Sequence, residues 1–412
     1  MILAREPNDW DITTAAHPED VKRIFRRTVD TGIEHGTVTV LMDRESYEVT
    51  TFRLDGKYSD GRHPDSVTFT PSLKEDLKRR DFTINAMAYN EKLGLVDIYG
   101  GMADLQKHVI RCVGNPDERF DEDALRILRA VRFAAQLGFT IDPATREAVA
   151  SHAEMLKNVS AERIRVELVK LLTSPNPMMF RVLYETGITR IILPEFDACM
   201  ETPEPDETSH QIYNVGEHIL HTLPIAPEDP VLRLAMLFHD IAKPAAMQDG
   251  RGEDHAVLSA DMAKKIMRRL KFDNATIDKV TRLVRCHSLK PEPTEPSVRR
   301  AVHEVGKELF NDYLTVQRAD NCAKRVDYME EQLERIEAVN LVYIRVLGHR
   351  DPLTLKELAI DGNDLLTAGF KGREIGTILE KSLLMVLDDP SLNDREYLMK
   401  YWAREAGDAI NK

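Results

Sequence analysis

The pattern of this chain changes once along its length, and that change limits its fold more than any other feature. Up to about residue 114, short β-like runs (DWDITT, GTVTVLM, YEVTTFRL, VDIYG) alternate with helical segments such as PEDVKRIFRRTV and SLKEDLKRRDFTINAMAYN. From Asn115 onward strand signals nearly vanish, and one amphipathic helix follows another. DEDALRILRAVRFAAQLG reads as one such helix, closed by Gly138 as a helix C-terminus should be. The expectation is an α+β chain with a mixed head and a helical remainder. At 412 residues it exceeds one ordinary core, given roughly 150 residues per domain. Proline-rich breaks at 194–210 and 290–297 mark candidate boundaries. The units expected are 1–114, 115–205, 206–330 and 331–412.

Composition narrows the class. With 42% hydrophobic and 30% charged residues the chain reads as an ordinary globular protein. No apolar run approaches the ~20 residues needed to cross a bilayer, and the start MILAREPNDW lacks the features of a signal peptide. The expected compartment is the cytosol, with no membrane partner. A net charge of −13 argues against a protein that coats nucleic acid, yet leaves room for a local basic face such as KKIMRRLKF (264–272). Cys112, Cys199, Cys286 and Cys322 show no C-x-x-C spacing, so they read as small buried hydrophobes.

Within the head, Asp9 and Asp11 stand two apart in a strand-like segment, so both side chains project from one face. Two carboxylates aimed at one spot suit a hard cation such as Mg²⁺; a solvated D-x-D on a loop is the alternative. Glu48, in the strand-like YEVTTFR, would add a third carboxylate from a neighbouring strand. RRDFTINA (79–86) is expected to start a helix with Asp81 and Asn85 on one face and Arg80 beside them, a set suited to triphosphate and ribose. In FDEDALRILRAVRF, Asp123, Arg126, Arg129 and Arg132 recur every three residues and would sweep one side of a helix. Asp only accepts and Arg only donates. Together they match the Watson–Crick edges of cytosine and adenine and mismatch uracil and guanine. A salt-bridged, solvated helix face is the competing explanation.

These three blocks, in this order and at these separations, resemble bacterial tRNA nucleotidyltransferases (CCA-adding enzymes) of the class that includes bacterial poly(A) polymerases. The resemblance runs to the C-terminal tail. It implies a polymerase-β-like nucleotidyltransferase head, a helical neck and tail, and template-independent addition of CMP and AMP from CTP and ATP to tRNA. It also implies Mg²⁺ on Asp9 and Asp11, with Glu48 similar to the accessory carboxylate. Arg80 would contact the nucleotide, Asp81 and Asn85 its ribose, Asp123 and Arg126 the base, and Arg129 and Arg132 the triphosphate. Family members carry a strand and a Gly-Gly turn before D-x-D; here Met1 stands where that segment should have passed, so an N-terminally truncated chain is expected. Near the C-terminus, Gly372 is expected to open a helix.

A second constellation lies in the helical half. His218, then His239 and Asp240 adjacent, then Asp320 offer imidazole and carboxylate ligands for a second divalent metal, and His255 and His287 add a further pair. The order resembles an HD domain, which implies metal-dependent phosphohydrolase chemistry. Two alternatives to CCA addition follow: a poly(A) polymerase, or an HD hydrolase acting on RNA ends behind a noncatalytic head.

Overall fold

The computed structural model describes residues 10–56, 66–203, 210, 212–248 and 255–410, which form two compact units, 1–194 and 195–412. Asp9 lies outside the described residues.

The first unit opens on a four-stranded sheet of order β1-β4-β3-β2, from β1 (Asp11–Thr14), β2 (Thr28–Gly32), β3 (Thr37–Met42) and β4 (Glu45–Thr51). β1 runs parallel to β4, and the other pairs are antiparallel. Alternation along the strands sorts the two faces. Val38, Val40 and Val49 pack with Val21 of α1 (Pro18–Ile24). The opposite face carries Asp11, Thr13, Thr39 and Glu48, because Asp11 pairs with Glu48 and Glu48 with Thr39. Two hairpins follow, β5 (Arg53–Asp55) with β6 (Val67–Phe69) and β7 (Met87–Asn90) with β8 (Gly94–Asp97).

Two helices differ from expectation. SLKEDLKRRDFTINAMAYN yields only α2 (Leu73–Lys78), capped by Ser72, then a single 3-10 turn at Thr83–Asn85, then β7. Tertiary pairing overrides helix propensity here. Phe82 is fully buried and bridges to Cys112, while Val113 N donates to Asp81 O and Thr83 N to Arg111 O. After α3 (Gly101–Lys107), the DEDALRILRAVRFAAQLG stretch is broken into α4 (Pro116–Glu122) and α5 (Leu125–Leu137). Asp123 sits at the break with extended backbone and accepts from Leu125 N at 3.0 Å. A short acidic side chain that caps the next turn competes with helix continuation at its own position. Gly138 closes α5 in the left-handed conformation, as expected. The core then builds on α5, where Ile127, Ala130, Val131 and Ala134 are fully buried, followed by α6 (Pro143–Ser151) and α7 (Ala161–Leu172), whose Leu168 and Leu171 pack inward.

The regular elements among the described residues of the second unit are all helices. Its centre is helix Pro230–Phe238, in which Leu234 through Phe238 are wholly buried. The boundary expected at 330 falls inside one continuous helix, Val326–His349. The tail is also tied inward. Arg299, buried in helix Glu295–Val305, donates to the carbonyls of Leu387 and Asp388 and to the Asp351 carboxylate. Gly372 does precede a helix, Arg373–Asp388. The KKIMRRLKF segment buries Ile266 and Met267 and exposes Lys264, Lys265 and Arg268. No helix among the described residues is long and apolar enough to cross a membrane.

Candidate functional site

In the first unit a cleft of about 550 Å³ gathers most of the expected head residues: Asp11, Arg80, Asp81, Asn85, Asp123, Arg126 and Arg129. Asp11 comes from the first position of β1, and its in-register neighbour Glu48 is exposed on β4. Parallel register projects both carboxylates from the same face. The rest of the lining is mixed: five arginines (Arg79, Arg80, Arg126, Arg129 and Arg163) face Asp81, Asp123, Asn85, Leu125 and Phe133.

Asp81 and Arg129 are locked together. Arg129 Nε and Nη2 donate to Asp81 Oδ2 at 2.8 and 2.6 Å, while Asn85 Nδ2 and Phe82 N donate to Oδ1 at 3.1 and 2.8 Å. Burial pushes the Asp81 carboxyl up, but the Arg129 charge and these hydrogen bonds outweigh it and hold the group below the usual carboxylate range. Arg80 is less committed. Its Nη2 lies 3.9 Å from Asp76, and its Nε is buried without a hydrogen-bond partner.

Asp123 and Arg126 face the same cleft but do not share a helix. The Asp123 carboxylate accepts from Arg163 Nη2 at 2.8 and 3.1 Å besides capping α5. Arg126 donates to Glu122 Oε2 at 2.6 Å and to the carbonyls of Arg79 (2.9 Å) and Arg119 (3.2 Å). Both side chains are therefore already engaged by internal partners.

Arg132 is a correction. It does not line the cleft: its guanidinium is buried, donates to Glu167 Oε2 at 2.6 Å and to Gln136 Oε1 at 2.7 Å, and lies 3.6 Å from the Phe133 ring centroid. At 100° per residue the arginine repeat drifts around α5, and nine residues beyond Asp123 it has turned into the contact with α7. The residues that sequence reasoning did not assign to the site are Arg79, Leu125, Phe133 and Arg163, which also line the cleft. The RRD block signalled Arg79 only as a neighbour of Arg80, and nothing local marks Arg163, forty residues from its partner Asp123.

The second unit brings all six expected ligands together. His218 Nε2 lies 2.9 Å from Asp320 Oδ1, and His239 Nε2 is 3.7 Å from the same oxygen and 3.6 Å from Asp240 Oδ2. On the other side, Asp240 Oδ1 is 3.4 Å from His255 Nε2 and 3.5 Å from His287 Nε2. His239 and His287 point their Nδ1 atoms at backbone carbonyls, Met236 O and Val284 O, each at 2.7 Å, which leaves Nε2 for a ligand role. His239 Nε2 and Asp240 Oδ1 are buried without hydrogen bonds, an expense that a cation between them would relieve. Burial pushes the His239 imidazole down to about 3, so it is neutral and able to ligate. Asp240 and Asp320 remain well below the carboxylate range despite burial, through Lys243 and Lys324 respectively. The donor set fits divalent metal; a third grouping, Glu295, His349 and Asp351, has both carboxylates already held by Arg299.

Comparison with known proteins agrees with both halves. The chain matches the family models for the poly A polymerase head domain (residues 1–111), the probable RNA and SrmB-binding site of polymerase A (138–200) and the HD domain (212–343). It is similar to the CCA-adding enzyme of Levilactobacillus brevis, 57% identical over 176 residues that span 43% of this chain and 44% of that enzyme. It is also similar to the CCA-adding enzyme of Lactobacillus helveticus, 36% identical over 408 residues, 97% of this chain and 90% of the relative. Among solved structures, the Bacillus stearothermophilus CCA-adding enzyme in complex with CTP matches with a TM-score of 0.71 and 28% identity, covering 100% of this chain and 92% of that one. With 36% identity across nearly its whole length, the chain belongs to the CCA-adding enzyme family.

Proposed function

We propose that this chain adds CMP and AMP from CTP and ATP to the 3′ end of tRNA, releasing pyrophosphate, with the cleft of the first unit as its active site. The observation that carries this reading is the register of Asp11 against Glu48 beside a cleft rich in arginine. Paired exposed carboxylates on one face are a fit for Mg²⁺, with Asp9 as a further ligand by sequence. A divalent ion held there supplies Lewis acidity to the attacking hydroxyl and to the leaving oxygen.

The chain's own residues supply the rest. Arg80, which lines the cleft, and Arg129, oriented by Asp81, face the polyphosphate, while Asn85 meets the ribose. Asp123 accepts from the exocyclic amine and Arg126 donates to the ring nitrogen, a pattern that cytosine and adenine share. The tRNA 3′-oxygen then bonds to the α-phosphorus as the bond to the β-phosphate bridge breaks and pyrophosphate departs. The exposed basic face of helix His255–Arg269 is an RNA contact in this reading. The test is incorporation of labelled CTP and ATP into tRNA lacking its end. Asp11→Ala is expected to abolish it, and a long A-tract in place of a single terminal A would reassign the chain as a poly(A) polymerase.

A second reading, a metal-dependent phosphohydrolase in the second unit, is supported by the orphaned His239 Nε2 and Asp240 Oδ1. Asp240 belongs to two ligand groups, one with His218 and His239 and one with His255 and His287, so two cations would share it. Divalent metal there would supply the Lewis acidity for phosphoester hydrolysis. Chain stripped with chelator and reloaded with Mn²⁺ is expected to bind two ions and to open a 2′,3′-cyclic nucleotide; Asp240→Ala should lose both properties. A chain that binds no metal at this centre removes the reading.

A further inference from the structure

We propose that Asp76 is a positioning residue of the nucleotidyl-transfer site, holding the strand that carries Asp11 and the arginines that meet the nucleotide in one fixed register. The inference rests on the first-unit cleft being that site. Asp76 lies on α2 and is completely buried. Burying a carboxylate is costly unless its oxygens are filled by donors and countercharge. The donors are the informative part, because they come from three separate elements: β1, β5 and the residue that closes α2.

Oδ1 accepts from Arg79 Nε at 3.0 Å, Arg79 Nη2 at 2.8 Å and the backbone N of Arg53 on β5 at 3.3 Å. Oδ2 accepts from the Thr13 hydroxyl at 3.3 Å and faces Arg80 Nη2 at 3.9 Å. Thr13 stands two residues after Asp11 on β1, so it shares its face, and its bond to Asp76 fixes that face against α2. Arg79 passes the constraint on, since its carbonyl accepts from Arg126 Nη2 at 2.9 Å. Asp76 thus ties together the strand that carries Asp11, Arg80 and, through Arg79, Arg126. α2 has its own N-cap, the Ser72 hydroxyl, which accepts from Glu75 N.

Asp76→Asn tests this. Asparagine keeps the shape but has one acceptor oxygen, so its amide must face either Arg79 or the Thr13 and Arg80 side, and the charge is gone. Loss of a charge-assisted contact of this kind corresponds to roughly a ten- to hundredfold change. The expected result is a rise of that size in KM for CTP and ATP and in the Mg²⁺ concentration for half-maximal rate, with KM for tRNA within about twofold. Thr13→Val, a milder change, is expected to raise the Mg²⁺ requirement, and Thr13→Ser to restore it. Should Asp76→Asn fail to fold, the threonine pair carries the test. An Asp76→Asn chain with a lowered melting temperature but wild-type KM values and Mg²⁺ dependence, or a Thr13→Val chain like wild type, overturns the inference. A wild-type chain that incorporates neither nucleotide removes the underlying assignment, and this inference with it.

Discussion

Replacing Arg132 by Met separates a clamp on the triphosphate from a clamp on the protein. Arg132 and Glu167 are 6% and 5% exposed and meet at 2.6 Å, which ties α5 to α7. Arg132→Met keeps the aliphatic stem and removes the charge, leaving Glu167 buried without its partner. Breaking a buried ion pair from one side costs about 3–5 kcal/mol. In a unit of this size each kcal/mol moves the melting temperature by about 2–4 °C, so a drop of roughly 6–20 °C is expected by calorimetry. CTP incorporation, measured at a temperature where both forms are folded, should show KM for CTP within about twofold of wild type. The double variant Arg132→Met with Glu167→Leu should recover stability to within about 1 kcal/mol of wild type, since two apolar groups replace the pair. The reasoning is refuted by an unshifted melting transition together with a KM for CTP raised roughly ten- to hundredfold, the signature of a lost charged contact to the nucleotide.

Other outcomes follow from the cleft. Arg126→Ala should relax base choice, raising UTP and GTP incorporation relative to CTP and ATP; unchanged fidelity counts against its role. Arg129→Ala should make stability respond to pH in the opposite sense from wild type. In the native chain Asp81 is depressed below its unfolded value, so its contribution is present above the unfolded pKa, about 3.9, and is lost as pH falls through the lower folded value. Without Arg129, burial raises the folded pKa, so this carboxylate destabilises at neutral pH and is relieved by protonation on acidification. The gap in denaturant midpoint between the two chains should therefore narrow from pH 7 towards pH 4; a constant gap would show that Arg129 does not set the ionisation of Asp81.

What the sequence made legible was local. Strand alternation put Asp11 on a definite face, and Glu48 on a second strand was a sound partner before its register was known. The clustering of His and Asp residues in the second unit was legible for a related reason, since His239 and Asp240 end an apolar helix that had to be central. Periodicity failed at Asp123, where a single side chain capping Leu125 N breaks what composition presents as one helix. It failed also in RRDFTINA, whose helical spacing lost to pairing with residues 111–113.

The sequence by itself determined which residue types are available and which faces of short elements they occupy, because the 2.0 and 3.6 periods are properties of the backbone. Only the tertiary structure decided which charges meet. Asp81 finds Arg129 across 48 positions, Asp123 finds Arg163 across 40, and Arg132 is spent on Glu167 across 35. Such pairings have no local spacing to betray them. They follow from the packing of α5 against α7 and against the RRD turn, where burial makes each charge take the partner within reach.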